Sequence, residues 1–167
     1  MELKDAIYTR RSIRSFKEDK LPKELILEVV KAGSYAPTGV NTQDIHFTVI
    51  TNEDMLNELK TIGKEVIREN FFYNPPCLIL VGYGLRSRTR ESDCACAMQN
   101  MMLRAHDLGL GSVWINQFKG QENPLLLDFY KKLNIENQTI MFGLSLGYIK
   151  DGPRDLVRNI NNYQIIE

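Results

Sequence analysis

The stretch CLILVGY, residues 77–83, is a continuous apolar run that directly follows Pro75 and Pro76. A strand with one face in water alternates polar and apolar side chains, whereas a strand covered on both faces reads as an unbroken apolar run. The run therefore predicts a central strand that other elements cover on both faces.

The next segment along the chain, SDCACAMQNMMLRAHDLGL at 92–110, predicts a helix that begins with cap-type residues. Apolar or small side chains occupy almost every side of this helix, and the Cys94–Cys96 pair fits it as two small packed residues. A helix that lacks a polar face is buried on most sides, either in the core or in a subunit interface. We therefore expect 92–110 to be a packed helix in one of these two places.

In the remaining segments, the apolar residues recur at either helical or β-strand spacing. Four helices are predicted at 2–10, 21–37, 52–70 and 122–133, and three strands at 46–51, 112–115 and 139–149. No repeat, low-complexity segment or linker divides the chain. The sequence predicts one α+β domain over residues 1–167, with strands separated by helices and some non-sequential pairing.

Composition limits the classes of function. The 167 residues carry 21 basic and 21 acidic side chains, so no global field draws the protein to nucleic acid or to an anionic membrane. Three cysteines and two histidines give neither a disulfide framework nor a convincing metal site. The chain shows no signal-peptide core and no apolar run of about 20 residues. We expect a cytoplasmic protein without a metal, a nucleic-acid partner or a membrane partner.

A dense cluster of positive charge lies at TRRSIRSF, residues 9–16, where the first helix ends. Guanidinium groups bind phosphate or carboxylate oxygens through paired hydrogen bonds, and a serine adds a hydroxyl and a backbone N–H. The alternative is a set of solvated arginines that pair with nearby acids. The candidate residues are Arg10, Arg11, Ser12 and Arg14, and the candidate acids are Glu18, Asp19 and Glu24.

Two further stretches carry polar groups beside turn residues. APTGVNTQ, residues 36–43, predicts a turn with exposed amides and uncharged donors and acceptors, which suit the edge of a planar heterocycle. LGLGSVWINQF, residues 108–118, predicts a tight helix-to-strand turn and then a tryptophan with two amide side chains at the end of the strand. It is not a dinucleotide fingerprint. The alternatives are a plain polar loop and a turn followed by a core tryptophan.

Taken in order, five motifs resemble the nitroreductase family of flavin enzymes over nearly the whole chain: RRSIRSF, APTGVNTQDIHFTVI, NPPCLILVGY, AMQNMMLRAHDLGLGSVWI and GLSLGY. The resemblance implies an α+β fold with a mixed, mainly antiparallel sheet wrapped by helices. It also implies an intertwined homodimer with two FMN molecules at the dimer interface.

The resemblance implies roles for individual residues as well. Arg10, Arg11 and Ser12 match the segment that holds the FMN phosphate and ribityl chain, and Arg14 matches the residue at the pyrimidine side of the ring. Further matches are Pro37, Thr38, Gly39 and Asn41, which pack on the flavin from the partner subunit, and Trp114, Asn116 and Gln117, which pass its other side. A late basic residue closes the phosphate site, and the candidates are Arg154 and Arg158, of which we prefer Arg158.

As activity, the resemblance implies hydride transfer from NADH or NADPH through FMN to a nitroaromatic or quinone-like acceptor, in a ping-pong cycle. Relatives instead dehalogenate, oxidise substrates or consume their own flavin, and flavin storage without turnover is another alternative. The family often has Gln-Pro-Trp where this chain has Gln43, Asp44 and Ile45, and this departure leaves the substrate open. Neither His46 nor His106 is expected to act in catalysis.

Overall fold

The computed structural model describes residues 1–153 and 157–166. Arg154, one of the two late arginines considered for the phosphate site, lies outside the described residues.

The described residues form helices and strands close to the predicted bounds. The strands are β1 (Ile45–Ile50), β2 (Cys77–Tyr83), β3 (Gly111–Ile115) and β4 (Thr139–Gly147). The helices are α1 (Leu3–Thr9), α2 (Lys23–Ser34), α3 (Glu53–Val66), α4 (Arg90–Asp107) and α5 (Pro124–Lys132), and Gly39–Asn41 forms a short 3₁₀ turn. Asn52 caps α3 by accepting a hydrogen bond from the backbone N–H of Met55.

The four strands form one sheet in the order β1-β2-β4-β3. Each neighbouring pair is antiparallel, which confirms the prediction of a mainly antiparallel α+β fold. Parallel pairing in the described part of the chain is confined to a single bridge between Ser12 and Ser112.

The central position of β2 follows from its two apolar faces. Leu78 and Leu80 point into a core cluster with side chains of α3 and α5, while Ile79 and Val81 point into a second cluster with α2 and α4. The sheet is therefore the middle layer between two helical layers, as the run 77–83 predicts.

Within one chain, α4 is less completely buried than its composition suggests. One face, with Cys94, Ala97 and Met98 among its residues, packs on the sheet, whereas Cys96 and Gln99 lie on an exposed stripe. Cys94 is packed as predicted, whereas Cys96 is exposed within one chain. None of the helices in the described ranges is long and apolar enough to cross a membrane.

Three predicted helices end three or four residues early, and the third of them, α4, ends at Asp107. Helix α2 ends at Ser34 and α3 at Val66, and loops that contain left-handed residues follow both of them. These two loops contribute to the candidate site.

Candidate functional site

The segment that carries the arginine cluster runs along the edge of the sheet beside β3. Arg10 ends α1, and Ser12 forms its parallel bridge with Ser112. The backbone N–H of Ile13 then donates to the carbonyl oxygen of Ser112 at 3.0 Å. Because β3 also carries Trp114, this pairing brings the first and the third predicted stretches together.

The side chain of Arg10 is partly buried, and one of its N–H groups lacks an acceptor. Its Nη1 atom is buried and has no hydrogen-bond partner. Burial lowers the pKa of the Arg10 guanidinium, and the positive charges of Arg158 and Arg11 lower it further. Arg158 therefore lies close enough to Arg10 to act on it electrostatically, and the two arginines share one region of positive potential.

The neighbouring groups do not neutralise this charge. Nη1 of Arg11 donates to the carbonyl oxygens of Tyr8 at 2.8 Å and of Arg10 at 2.9 Å. Among residues 1–153 and 157–166, Arg10, Arg11 and Arg14 have no carboxylate within 4.0 Å. The alternative in which these arginines pair with Glu18, Asp19 or Glu24 is therefore wrong.

His106, near the end of α4, lies in the same positive field. Its Nε2 atom is 2.7 Å from Oγ1 of Thr9. Burial lowers the pKa of His106, and the charges of Arg10 and Arg11 lower it further. The imidazole is a neighbour of the arginine cluster, and nothing in its contacts gives it a role in catalysis.

The hydrogen-bond donors of the arginine cluster fit a phosphate group. A phosphate brings close to two negative charges and several strong acceptor oxygens, while the cluster offers an unpartnered buried N–H, two further guanidinium groups and a serine hydroxyl. Such charge-assisted hydrogen bonds are about twice as strong as neutral ones.

Arg14 is exposed and lies beside a residue that the sequence analysis missed. Its guanidinium carbon is 5.7 Å from the centroid of the Tyr73 ring. Burial would raise the pKa of the Tyr73 hydroxyl, but interactions with Arg68 and Arg14 outweigh burial and lower it. Tyr73 has a φ of 65°, which is unfavourable for an aromatic residue. The turn-forming residues Asn70 and Asn74 were the only sequence signal of this loop.

The 36–43 turn is held in place from α4. The backbone N–H of Gly39 donates to Oδ1 of Asp93 at 3.0 Å and to Oγ1 of Thr89 at 3.1 Å. Oγ1 of Thr38 accepts from the backbone N–H of Gln43 at 3.0 Å. Pro37 and Asn41 are exposed. The turn therefore presents polar groups outward from a fixed base.

The end of β3 presents both of its predicted amide side chains. Trp114 packs edge-to-face on Phe142 with ring centroids 4.5 Å apart, and this contact fixes the strand at the point where it leaves the sheet. Asn116 follows it and is exposed, and Gln117 is half-buried.

The turn and the arginine cluster lie at opposite ends of α4. Gly39 contacts Asp93 in its first turn, whereas Thr9 contacts His106 near its end. At about 1.5 Å per residue, these positions are roughly 20 Å apart along the helix. The two groups of predicted site residues do not touch within one chain.

The structure is an α+β protein with a cluster of unneutralised arginines at the edge of an antiparallel sheet. Residues 7–68 and 58–148 match the profile of the Nitroreductase family. The chain belongs to the nitroreductase family, and it is an oxidoreductase of that family.

Individual relatives agree with this assignment. A protein of Archaeoglobus fulgidus with the provisional name NADH dehydrogenase/NAD(P)H nitroreductase is 32% identical over 152 residues, which cover 87% of this chain and 84% of the relative. The crystal structure of a nitroreductase with bound FMN from Bacteroides fragilis superposes with a TM-score of 0.92, at 27% identity and over 100% of both chains. An iodotyrosine deiodinase of Thermotoga neapolitana is 23% identical over 94% of each chain.

Proposed function

We propose that this protein is an FMN-dependent oxidoreductase that passes hydride from NADH or NADPH to a nitroaromatic or quinone-like acceptor in a ping-pong cycle. The observation that carries the proposal is the buried, unpartnered Nη1 of Arg10 within a cluster of unneutralised arginines. The FMN-bound relative from Bacteroides fragilis supports it.

In this proposal the arginine cluster binds the phosphate end of FMN. Arg10 and Arg11 neutralise the phosphate, and Ser12 donates from its hydroxyl or backbone N–H. Arg158 completes the site, since it already acts electrostatically on Arg10. The cost of burying Arg10 near other cations is offset when the anion binds, because paired charges are far cheaper to bury than isolated ones.

Arg14 would bind the pyrimidine edge of the cofactor's ring. Bound FMN supplies the two-electron redox chemistry, and the protein supplies position and electrostatic field. Arg14, held over the Tyr73 ring, would place a positive charge beside the cofactor, which would stabilise its reduced form and so raise its two-electron potential. No side-chain nucleophile is required.

The turn and the end of β3 enclose the ring. Because Gly39 and Arg10 lie at opposite ends of α4, we place Pro37, Thr38, Gly39 and Asn41 against the flavin bound by the partner subunit's arginines. Trp114, Asn116 and Gln117 lie on the same sheet edge as Ser12 and border the flavin bound by their own chain. The functional unit is thus a homodimer.

The test is the visible spectrum of the purified protein. We expect flavin absorbance, loss of that absorbance when NADH or NADPH is added without oxygen, and its recovery when a nitroaromatic or a quinone follows. A protein that stays colourless after incubation with FMN contradicts the cofactor assignment. A bound flavin that neither nicotinamide reduces favours storage without turnover.

Reductive dehalogenation is the second candidate, because the similarity to the Thermotoga neapolitana deiodinase extends over 94% of both chains. The same spectrum separates the two candidates if an iodinated phenol is used as the acceptor. Faster reoxidation by the iodophenol than by nitroaromatics and quinones, with release of iodide, favours the dehalogenase.

A further inference from the structure

The loop between β2 and α4 carries a second concentration of arginines, which the proposed function does not use. Residues 85–90 read LRSRTR, with arginines at alternate positions 86, 88 and 90, and we call this segment the arginine loop. Together with Val40 and Thr42 of the turn, it lines a depression of about 760 Å³.

Buried carboxylates hold the arginine loop from beneath. Asp44 is 4% exposed and accepts from the backbone N–H groups of Arg86 at 2.6 Å and of Ser87 at 3.2 Å. Asp93 is 3% exposed and accepts from Oγ of Ser87 at 3.1 Å. Ser87 therefore connects the two acids, and Asp93 also accepts from Gly39. The loop and the turn form one hydrogen-bonded unit.

Because both acids are turned inward, the outer surface of the loop is basic. Arg86 lies 3.7 Å from Asp44 and is balanced by it. Within the described residues, Arg88 and Arg90 have no carboxylate within 4.0 Å. The guanidinium of Arg90 is held 5.6 Å from the ring centroid of Tyr83. Two positive charges thus remain at the rim of the depression.

The other lining groups indicate what accompanies the anion. Oγ1 of Thr42 is buried and has no hydrogen-bond partner, which is a cost that a bound acceptor or donor removes. Leu85 is 99% exposed and Val40 is 78% exposed. Apolar side chains beside guanidinium groups suit a ligand that joins an oxyanion to a flat, weakly polar ring.

We propose that Arg88, Arg90 and Thr42 form a subsite for an oxyanion group of the electron donor or acceptor. The two sources of that chemistry are the phosphates of the nicotinamide dinucleotide, with adenine against Leu85 and Val40, and the carboxylate of an acidic aromatic acceptor. The assignment to a donor or acceptor rests on the proposed function, because the subsite adjoins the turn that we place on the partner's flavin. Binding of the anion itself does not depend on turnover.

The first experiment measures binding by calorimetry on the FMN-loaded protein, with inorganic pyrophosphate and ADP as probes. We expect both to bind, more weakly as salt rises. Replacing both Arg88→Gln and Arg90→Gln should weaken binding by about tenfold or more, as expected for the loss of a charge-assisted hydrogen bond. Lys4→Gln, which removes an exposed charge from α1, is the matched control and should leave binding unchanged. Absence of binding, or equal binding by the double variant, overturns the proposal.

The second experiment identifies the source of the anion by anaerobic reduction and reoxidation kinetics. An increase of about tenfold in KM for NADH or NADPH in the double variant assigns the subsite to the dinucleotide. An increase for a nitrobenzoate but not for nitrobenzene assigns it to the acceptor. Unchanged KM values for all of them overturn the proposal even if the native protein turns over. If the native protein is not reduced by either nicotinamide, the proposed function fails, while the calorimetric result still decides whether the anion subsite exists.

Discussion

At the scale of single residues, our proposal for the phosphate site depends most on Arg10. Its guanidinium is half-buried, lies near Arg158 and Arg11, and leaves Nη1 without an acceptor. A cation in such a place gains more from a bound anion than a solvated arginine does, because water competes less and fewer contacts are lost. In our proposal, Arg10 is therefore the side chain that contributes most to phosphate binding.

Replacing Arg10→Gln should weaken FMN binding by about 1.5–3 kcal/mol, or roughly 10- to 150-fold, because a charge-assisted hydrogen bond to phosphate is lost. Titration of the flavin-free protein with FMN, followed by flavin fluorescence, measures this change.

Arg14→Gln is the comparison variant for Arg10→Gln, since it removes the same charge four residues away. We expect it to change FMN affinity less and to lower the two-electron potential of the bound flavin, by about 30 mV for each 1.4 kcal/mol of lost stabilisation. If both variants bound FMN with the affinity of the native protein and left the flavin potential unchanged, the arginines of the cluster would be solvated charges without a role in FMN binding.

His106 provides a pH-sensitive reporter of the same cluster. Burial, Arg10 and Arg11 lower its pKa in the folded protein, so the folded state binds its proton less readily than the unfolded state does. The contribution of His106 to stability is therefore complete above its unfolded pKa of about 6.5 and is lost as the pH falls through the folded value.

A bound phosphate should raise the pKa of His106, because it cancels part of the positive field, and Arg10→Gln should raise it in the flavin-free protein for the same reason. NMR titration of the two histidine rings measures both changes, with His46 as the internal control. A His106 pKa that is the same with and without FMN would show that the phosphate is bound elsewhere.

At the scale of elements, α4 sets the distance between the 36–43 turn and the arginine cluster. Its first turn holds the 36–43 turn through Asp93, and its last turn meets α1 and the arginine cluster through His106. Between these contacts, Met98 and Met101 pack against the sheet. The helix thus fixes the separation between two candidate binding segments.

Asp93→Ala should destabilise the protein by roughly 3 kcal/mol, because the Gly39 N–H and the hydroxyls of Ser87 and Thr89 lose their buried acceptor. Denaturation by urea measures the free energy of unfolding. Asp93→Asn is the matched control and should lose much less, since an amide retains one acceptor oxygen and can donate to Ser87. If the two variants were equally stable, the hydrogen bonds to Asp93 would not be what holds the turn.

The elements themselves were largely predictable from the sequence, because period and burial act locally. The apolar run at 77–83 correctly predicts a strand covered on two faces, and the small and apolar residues of 92–110 correctly predict a helix, although that helix keeps an exposed stripe within one chain. The arrangement of the site was less predictable from the sequence. The contact of Arg14 with Tyr73 depends on a left-handed backbone at an aromatic residue, and this is a tertiary effect without a sequence pattern. The distance between the arginine cluster and the turn likewise follows only from how α4 is packed.

At the scale of the whole molecule, one chain leaves apolar surface without cover. Residues 157–166 are exposed throughout, and Ile160, Tyr163 and Ile166 are between 73% and 86% exposed. Several highly exposed apolar side chains within one short segment are typical of a segment that packs on a partner. This segment also includes Arg158, so the dimer and the phosphate site are coupled in our proposal.

Truncation after Val157 should weaken or abolish the dimer, because the segment that covers the partner is removed, and it should weaken FMN binding at the same time. Light scattering at micromolar concentration measures the mass in solution, for which we expect twice the mass of one chain in the native protein. Replacing Ile160→Ser, Tyr163→Ser and Ile166→Ser while keeping Arg158 separates the two effects. A native protein that is monomeric would contradict the dimer.

The different surroundings of the cysteines make one position of the native protein chemically addressable. Burial raises the pKa of the Cys77 and Cys94 thiols to about 12, so their reactive thiolate forms are negligible at neutral pH. Cys96 is exposed on the outer stripe of α4. A maleimide dye should therefore attach at a single site without any cysteine being removed. A dye at Cys96 would show whether a second chain covers the outer stripe of α4.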